Sequence, residues 1–108
     1  MESSVITKID YNDIKIAAKT VRAINNNVRR QIVKVIEENE RINVTEIYVK
    51  MRIEQSVVSQ HLAILRDAKI VSPEREGRTI FYSLNIDRIA QVARIFDDNL
   101  LLKPSPAN

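Results

Sequence analysis

The sequence has no cysteine, and it has one glycine and one histidine in 108 residues. Without cysteine, a disulfide, a thiolate metal site, a redox switch and a cysteine nucleophile are all excluded. One glycine and one histidine supply no recognisable phosphate loop or catalytic cluster, so an enzyme would have to work with isolated carboxylates. No apolar run approaches the length that spans a bilayer, and the opening MESSVITKID lacks the basic and then apolar layout of a signal peptide. The expectation is a cytoplasmic protein with no membrane segment, no cofactor and no metal.

What is present suits a folded chain. Hydrophobic residues are 44% and charged ones 29%, a balance that argues against general disorder. At this length there is room for one domain, spanning residues 1–108, with a thin core that a second copy would naturally supplement. A net charge of +3 and a pI near 9.4 favour an anionic partner only mildly, so the placement of charge says more than its sum. Acid gathers at Glu37, Glu38, Glu40, Asp97 and Asp98. Base gathers at Arg29, Arg30, Lys34, Lys50, Arg52, Arg75 and Arg78, a segregation able to produce one basic face.

Residues 1–10 carry little periodicity and read as a loose arm. After a cap at Asn12 or Asp13, the spacing of Ile14, Ala17, Ala18, Val21 and Ile24 predicts a helix with a narrow apolar seam. Asn25, Asn26 and Asn27 break it. A second helix runs over about 28–38 with Ile32, Val35 and Ile36 inward, and a short apolar segment at 42–44 suits one strand pairing. Thr45 or a neighbour opens a third helix, which ends near Arg52. Next comes QSVVSQHLAILR. Val58, Leu62 and Leu65 make its apolar edge, while Gln55, Ser56, Ser59, Gln60 and His61 bring short hydrogen-bonding groups to the other side. Such groups on a rigid rod suit base edges in a major groove. A solvated amphipathic helix fits the same pattern, and a plain helical hairpin fits 45–68 as well as a helix-turn-helix does.

The next stretch discriminates. Residues 70–84 hold two strand-like runs around EREGR, with the lone Gly77 at the tip and Arg75 and Arg78 beside it, where guanidinium groups could reach phosphates. A basic hairpin after a helix-turn-helix is a winged helix. The expected fold is mainly α with a small β-hairpin (α+β), about five helices plus a two-stranded wing. A last helix over 86–102 has an apolar stripe at Ile89, Val92, Ala93, Phe96 and Leu100, and 103–108 is a polar tail. The stripes on the first and last helices exceed what a small winged core covers.

These residues resemble a known family. From about residue 28 to 84 the chain resembles the ArsR (ArsR/SmtB-type) dimeric winged-helix repressors, through VRRQIVKVI, SVVSQHLAILRDAKIV and REGRTIFYSL. The resemblance implies a homodimer formed by 11–26 and 86–102, with Ile14, Ala18, Val21, Ile89, Val92, Phe96 and Leu100 at the seam. It also implies an inverted-repeat operator on double-stranded DNA, and repression. Recognition would then fall to residues 55–67 and a wing at 72–80. Base readout goes to Gln55, Ser56, Ser59 and Gln60, wing contacts to Arg75 and Arg78, and phosphate clamps to Arg29, Lys50 and Arg52. His61 touches a phosphate or packs at the groove edge. Metal-sensing relatives carry cysteines where this chain has Asn43 and Thr45, so metal control at those sites is not expected, and any inducer would be a small molecule of unknown identity. Two departures lie in the turn, with Arg52 where glycine is frequent and Glu54 where a serine cap is frequent. A winged-helix module used for protein contacts is the competing reading, and it has no need of Arg75 and Arg78.

Overall fold

The structure is a computed structural model that describes residues 10–100, with side chains through Asp98. In chain order it contains α1 (Tyr11–Ile24), α2 (Asn27–Asn39), β1 (Ile42–Asn43), α3 (Val44–Met51), α4 (Gln55–Asp67), β2 (Val71–Glu76), β3 (Thr79–Leu84) and α5 (Ile86–Leu100). The arm expected before Asp10, the helix end expected at 101–102, the 103–108 tail and the side chain of Leu100 lie outside the described residues.

The helix starts are set by side chains that accept from orphan amide groups. Asp10, rather than Asn12 or Asp13, caps α1 by accepting from the N–H of Asn12 at 2.8 Å. Asn26 caps α2 through the N–H of Arg29 at 3.0 Å, and Asn85 caps α5 through that of Arg88 at 3.2 Å. Helix α3 opens one residue earlier than Thr45. Asn43 accepts from the N–H of Glu46 at 2.8 Å, and the Glu46 carboxylate accepts from the N–H of Asn43 at 3.4 Å, a reciprocal capping box.

The two-stranded wing is extended to a three-stranded sheet, in the order β1-β3-β2, because the short 42–43 segment makes the expected strand pairing with β3. Ile42 lies opposite Tyr82 and Asn43 opposite Phe81, while β2 and β3 form an antiparallel hairpin from Val71↔Leu84 out to Glu76↔Thr79. β2 is an edge strand, which is where Pro73 is tolerated. At the hairpin tip Gly77 has φ 63°, and open space surrounds the position of a Cβ there. Backbone conformation, not crowding, is therefore what calls for glycine.

The core lies between α2, α3, α4 and the inner face of this sheet, with Ile32, Ile36, Ile42, Ile47, Leu62 and Leu65 fully buried. Each such side chain contributes about 1.5–3 kcal/mol, more than a typical net hydrogen bond of about 1 kcal/mol, so α4 is held chiefly by its apolar back. Helices α1 and α5 pack on each other as a second layer. That layer covers Val92 and Ile95, both 6% exposed, and leaves Ile14, Val21, Ile89 and Phe96 exposed.

Candidate nucleic-acid interface

Helix α4 turns Val58, Leu62 and Leu65 into the core at 1% exposure or less, while Gln55, Ser56, Ser59 and Gln60 are all exposed on the other side. Ala63 is exposed as well and extends that front by one turn. Sequence reasoning passed it over, although its spacing from Ser59 and Gln60 would have found it. A methyl group at this place is suited to the C5-methyl of thymine.

The turn before α4 explains one of the departures noted in the sequence. Arg52 adopts a left-handed conformation, φ 57° and ψ 42°, which is the reason glycine suits the position. Glu54 takes the N-cap place of α4 but makes no side-chain capping bond. Lys50 and Arg52 are exposed at the end of α3, beside the start of α4.

The wing separates its charges by strand alternation. Arg75 pairs with Ile80 on the face that also carries buried Tyr82, whereas Glu74 and Glu76 point to the opposite, outer face. Arg41 bridges both carboxylates and offsets part of their charge. Its Nε meets Glu74 at 3.2 Å, its Nη2 meets Glu76 at 2.6 Å, and its guanidinium lies over the Phe81 ring at 3.9 Å. Among the described residues neither Arg75 nor Arg78 pairs with a carboxylate, so both stay available as cations at an exposed edge. Arg41 was missed in the sequence because its two carboxylates lie more than thirty positions away, at |i−j| = 33 for Glu74.

Arg29 is not arranged as a free clamp. Its Nε donates to the Ala23 carbonyl, its Nη2 to the Arg22 carbonyl at 3.3 Å, and its Nη1 lies 3.2 Å from Nδ1 of His61. Burial, and then the Arg29 charge, lower the pKa of His61. Nearby, Lys19 and Asp67 join α1 to the end of α4 at 2.9 Å, and the Lys19 hydrogen bond holds the Asp67 carboxyl below its ordinary range.

Asn43 and Thr45 are the positions at which the family resemblance would place cysteines in a metal-sensing relative. Asn43 is engaged as the α3 cap, and Thr45 is exposed. Among the described residues no three His, Cys, Asp or Glu side chains gather where they could hold a metal ion.

The seam residues expected on α1 and α5 divide in the structure. Ile14 (44%), Val21 (42%), Ile89 (38%) and Phe96 (44%) remain exposed, and Ala18 is half-buried. Val92 departs from the expectation, because its side chain is already covered within one protomer. Ile14, Ala17, Ala18, Val21, Ile95 and Phe96, with Arg22, line a mainly apolar groove of about 450 Å³ between the two helices.

Comparison with known proteins agrees with this geometry. The family model for the bacterial regulatory protein, arsR family, matches residues 26–72. The transcriptional repressor PagR of Bacillus anthracis is 29% identical over 83% of this chain and 90% of its own. An uncharacterised helix-turn-helix-type transcriptional regulator of Methanocaldococcus jannaschii is 32% identical over 76% and 92%, and the transcriptional activator HlyU of Vibrio cholerae is 34% identical over 74% and 72%. The crystal structure of PagR superposes with a TM-score of 0.69 at 28% identity, covering 81% of this chain and 99% of that one.

Proposed function

The chain belongs to the ArsR family of bacterial regulatory proteins, as a DNA-binding transcriptional regulator and not an enzyme, and on that premise we propose that it works as a homodimeric repressor of an inverted-repeat operator. The observation that carries this reading is α4 itself, a helix anchored by three buried residues with Gln55, Ser56, Ser59 and Gln60 exposed. Those four side chains read base edges, with Gln55 or Gln60 bidentate to an adenine, and Ala63 meets a thymine methyl. Arg75 and Arg78 on the wing, and Lys50 and Arg52 at the end of α3, contact backbone phosphates.

The exposed apolar groove between α1 and α5 takes a second copy, which sets two reading helices about 34 Å apart on successive major grooves. PagR is named a repressor and HlyU an activator. Repression needs only occupancy of an operator, whereas activation needs a further contact, and we assign repression on that ground. No described helix is long and apolar enough to cross a membrane. The proposed location is the cytoplasm, where the operator is. Any inducer acts away from Asn43, whose side chain is engaged as a cap.

The test is selection of bound sequences from random duplexes, with and without added divalent metals. The expected result is a two-fold symmetric site, recovered equally in both arms and bound more weakly as salt rises. Replacing Gln60 with Ala is expected to cost about 1–3 kcal/mol on that site and to relax the preference at one base pair in each half. No common sequence, or a flat salt response, would leave the protein-contact reading instead.

A further inference from the structure

Arg29 stands in the first turn of α2 with its guanidinium committed on three sides. Its Nε and Nη2 donate to the carbonyls of Ala23 and Arg22 in the last turn of α1, where unpaired C=O groups gather and a positive charge is favourable. Its Nη1 lies 3.2 Å from Nδ1 of His61 on α4. A guanidinium can only donate, so Nδ1 must accept, and the proton of the neutral ring then resides on Nε2.

From this geometry we infer that Arg29 is a positioning residue for operator binding rather than a phosphate contact, tying the reading helix to the end of α1 and presenting His61 as an Nε2–H donor. The inference rests on the regulator reading above. It adds a direct link between the helix that reads DNA and a helix assigned to joining the two copies. A shift in the last turn of α1 is carried to α4 through one planar group.

The chemistry around the pair supports the neutral ring. A protonated His61 would lose its acceptor and set a second cation against Arg29, and its pKa is lowered by burial and by that charge. The other charged groups near Arg29 do not replace it. Lys19 and Asp67 pair with each other at 2.9 Å, and Arg29 engages Arg22 through its carbonyl. Nε2–H is then free to donate to a phosphate oxygen or a base acceptor.

Nitrogen NMR of His61 in the intact protein tests the tie without any substitution. The Nε2–H tautomer is expected near neutral pH, with a titration midpoint below the ordinary value of about 6.5. An Nδ1–H tautomer would overturn the inference. Arg29→Met then separates positioning from clamping on the selected duplex. Affinity should fall about fivefold or more at fixed salt, with the slope of log K against log salt unchanged and the His61 midpoint raised. A slope smaller by about 0.9 would make Arg29 a phosphate clamp and overturn the assignment. Unchanged affinity with a moved midpoint would remove its role in DNA binding. His61→Asn keeps an acceptor where Nδ1 stands but removes the Nε2–H group, so it should keep the wild-type Tm and lose affinity. Loss of both would contradict the inference. Should the wild-type protein bind no duplex at all, the regulator reading fails while the tautomer still decides the tie.

Discussion

Arg52 and Lys69 both occupy left-handed conformations, at φ 57° and φ 63°, which cost a residue with a Cβ about 1–2 kcal/mol. Each closes a helix in the same way. At the end of α3 the N–H of Ile53 donates to the Tyr48 carbonyl at 3.2 Å, and that of Arg52 to Val49 at 3.3 Å. At the end of α4 the N–H of Ile70 donates to Leu65 at 3.0 Å, and that of Lys69 to Arg66 at 2.9 Å. These are paired Schellman closures, in which glycine is the usual left-handed residue. A basic side chain stands there instead, at a helix C-terminus where positive charge regains about 0.3–1 kcal/mol. For Arg52 the proposed phosphate contact beside the start of α4 gives a reason to bear the remaining cost. Arg52→Gly should therefore raise the unfolding free energy by about 0.5–1 kcal/mol in denaturant titrations and reduce the salt slope of duplex binding by about one. A variant that is no more stable than the parent would refute the strain. One that keeps the full slope would refute the contact.

At the scale of elements, the wing shows how strand alternation sorts charge. Glu74 and Glu76 would repel a phosphate backbone within a screening length of about 10 Å at 0.1 M salt, yet both are held by Arg41 on the outer face. Exposed ion pairs and one cation–π contact contribute little to folding, about 1 kcal/mol together. Arg41→Ala should accordingly leave stability nearly intact while weakening duplex binding, most clearly at low salt. Binding as tight as the parent at low salt would sink the screening role. Much of this architecture was legible in the sequence, because periodicity reports which face of each helix or strand is apolar. That brought the α4 front, the wing and the start of α5 to within a residue or two of their observed places. The rest depends on long-range partners that leave no periodic trace. Arg41 and Arg29 both look like ordinary surface bases until Glu74 and Glu76 fold against the one and His61 against the other. Asp10 was hidden because Asp10, Asn12 and Asp13, within four positions, all make good caps.

For the whole molecule, the separation between the winged core and the α1/α5 layer decides what a second copy can do. The core cluster closes without Val92 and Ile95, which are buried in the outer layer. Tyr11 at 73% exposure and Ile14, Val21, Ile89 and Phe96 at 38–44% remain in water on that layer. Covering such surface contributes about 25 cal/mol per Å² before the costs of association, which supports the proposed pairing. The stripe on α5 did not reveal which of its members are spent inside one chain, since a helical period gives a face and not the identity of what covers it. The two kinds of position now separate assembly from folding. Ile14→Asp adds a charge at a site that is open in the protomer, so the variant should fold with its Tm nearly unchanged and sediment as a monomer. Its duplex affinity should drop steeply, because each half-site must then be bound independently. Val92→Asp places an unpaired charge in the covered layer and should lower the Tm by several degrees, since about 1 kcal/mol corresponds to 4–8 °C for a domain of this size. If Ile14→Asp still sediments as a dimer with parental affinity, the second copy joins through another surface.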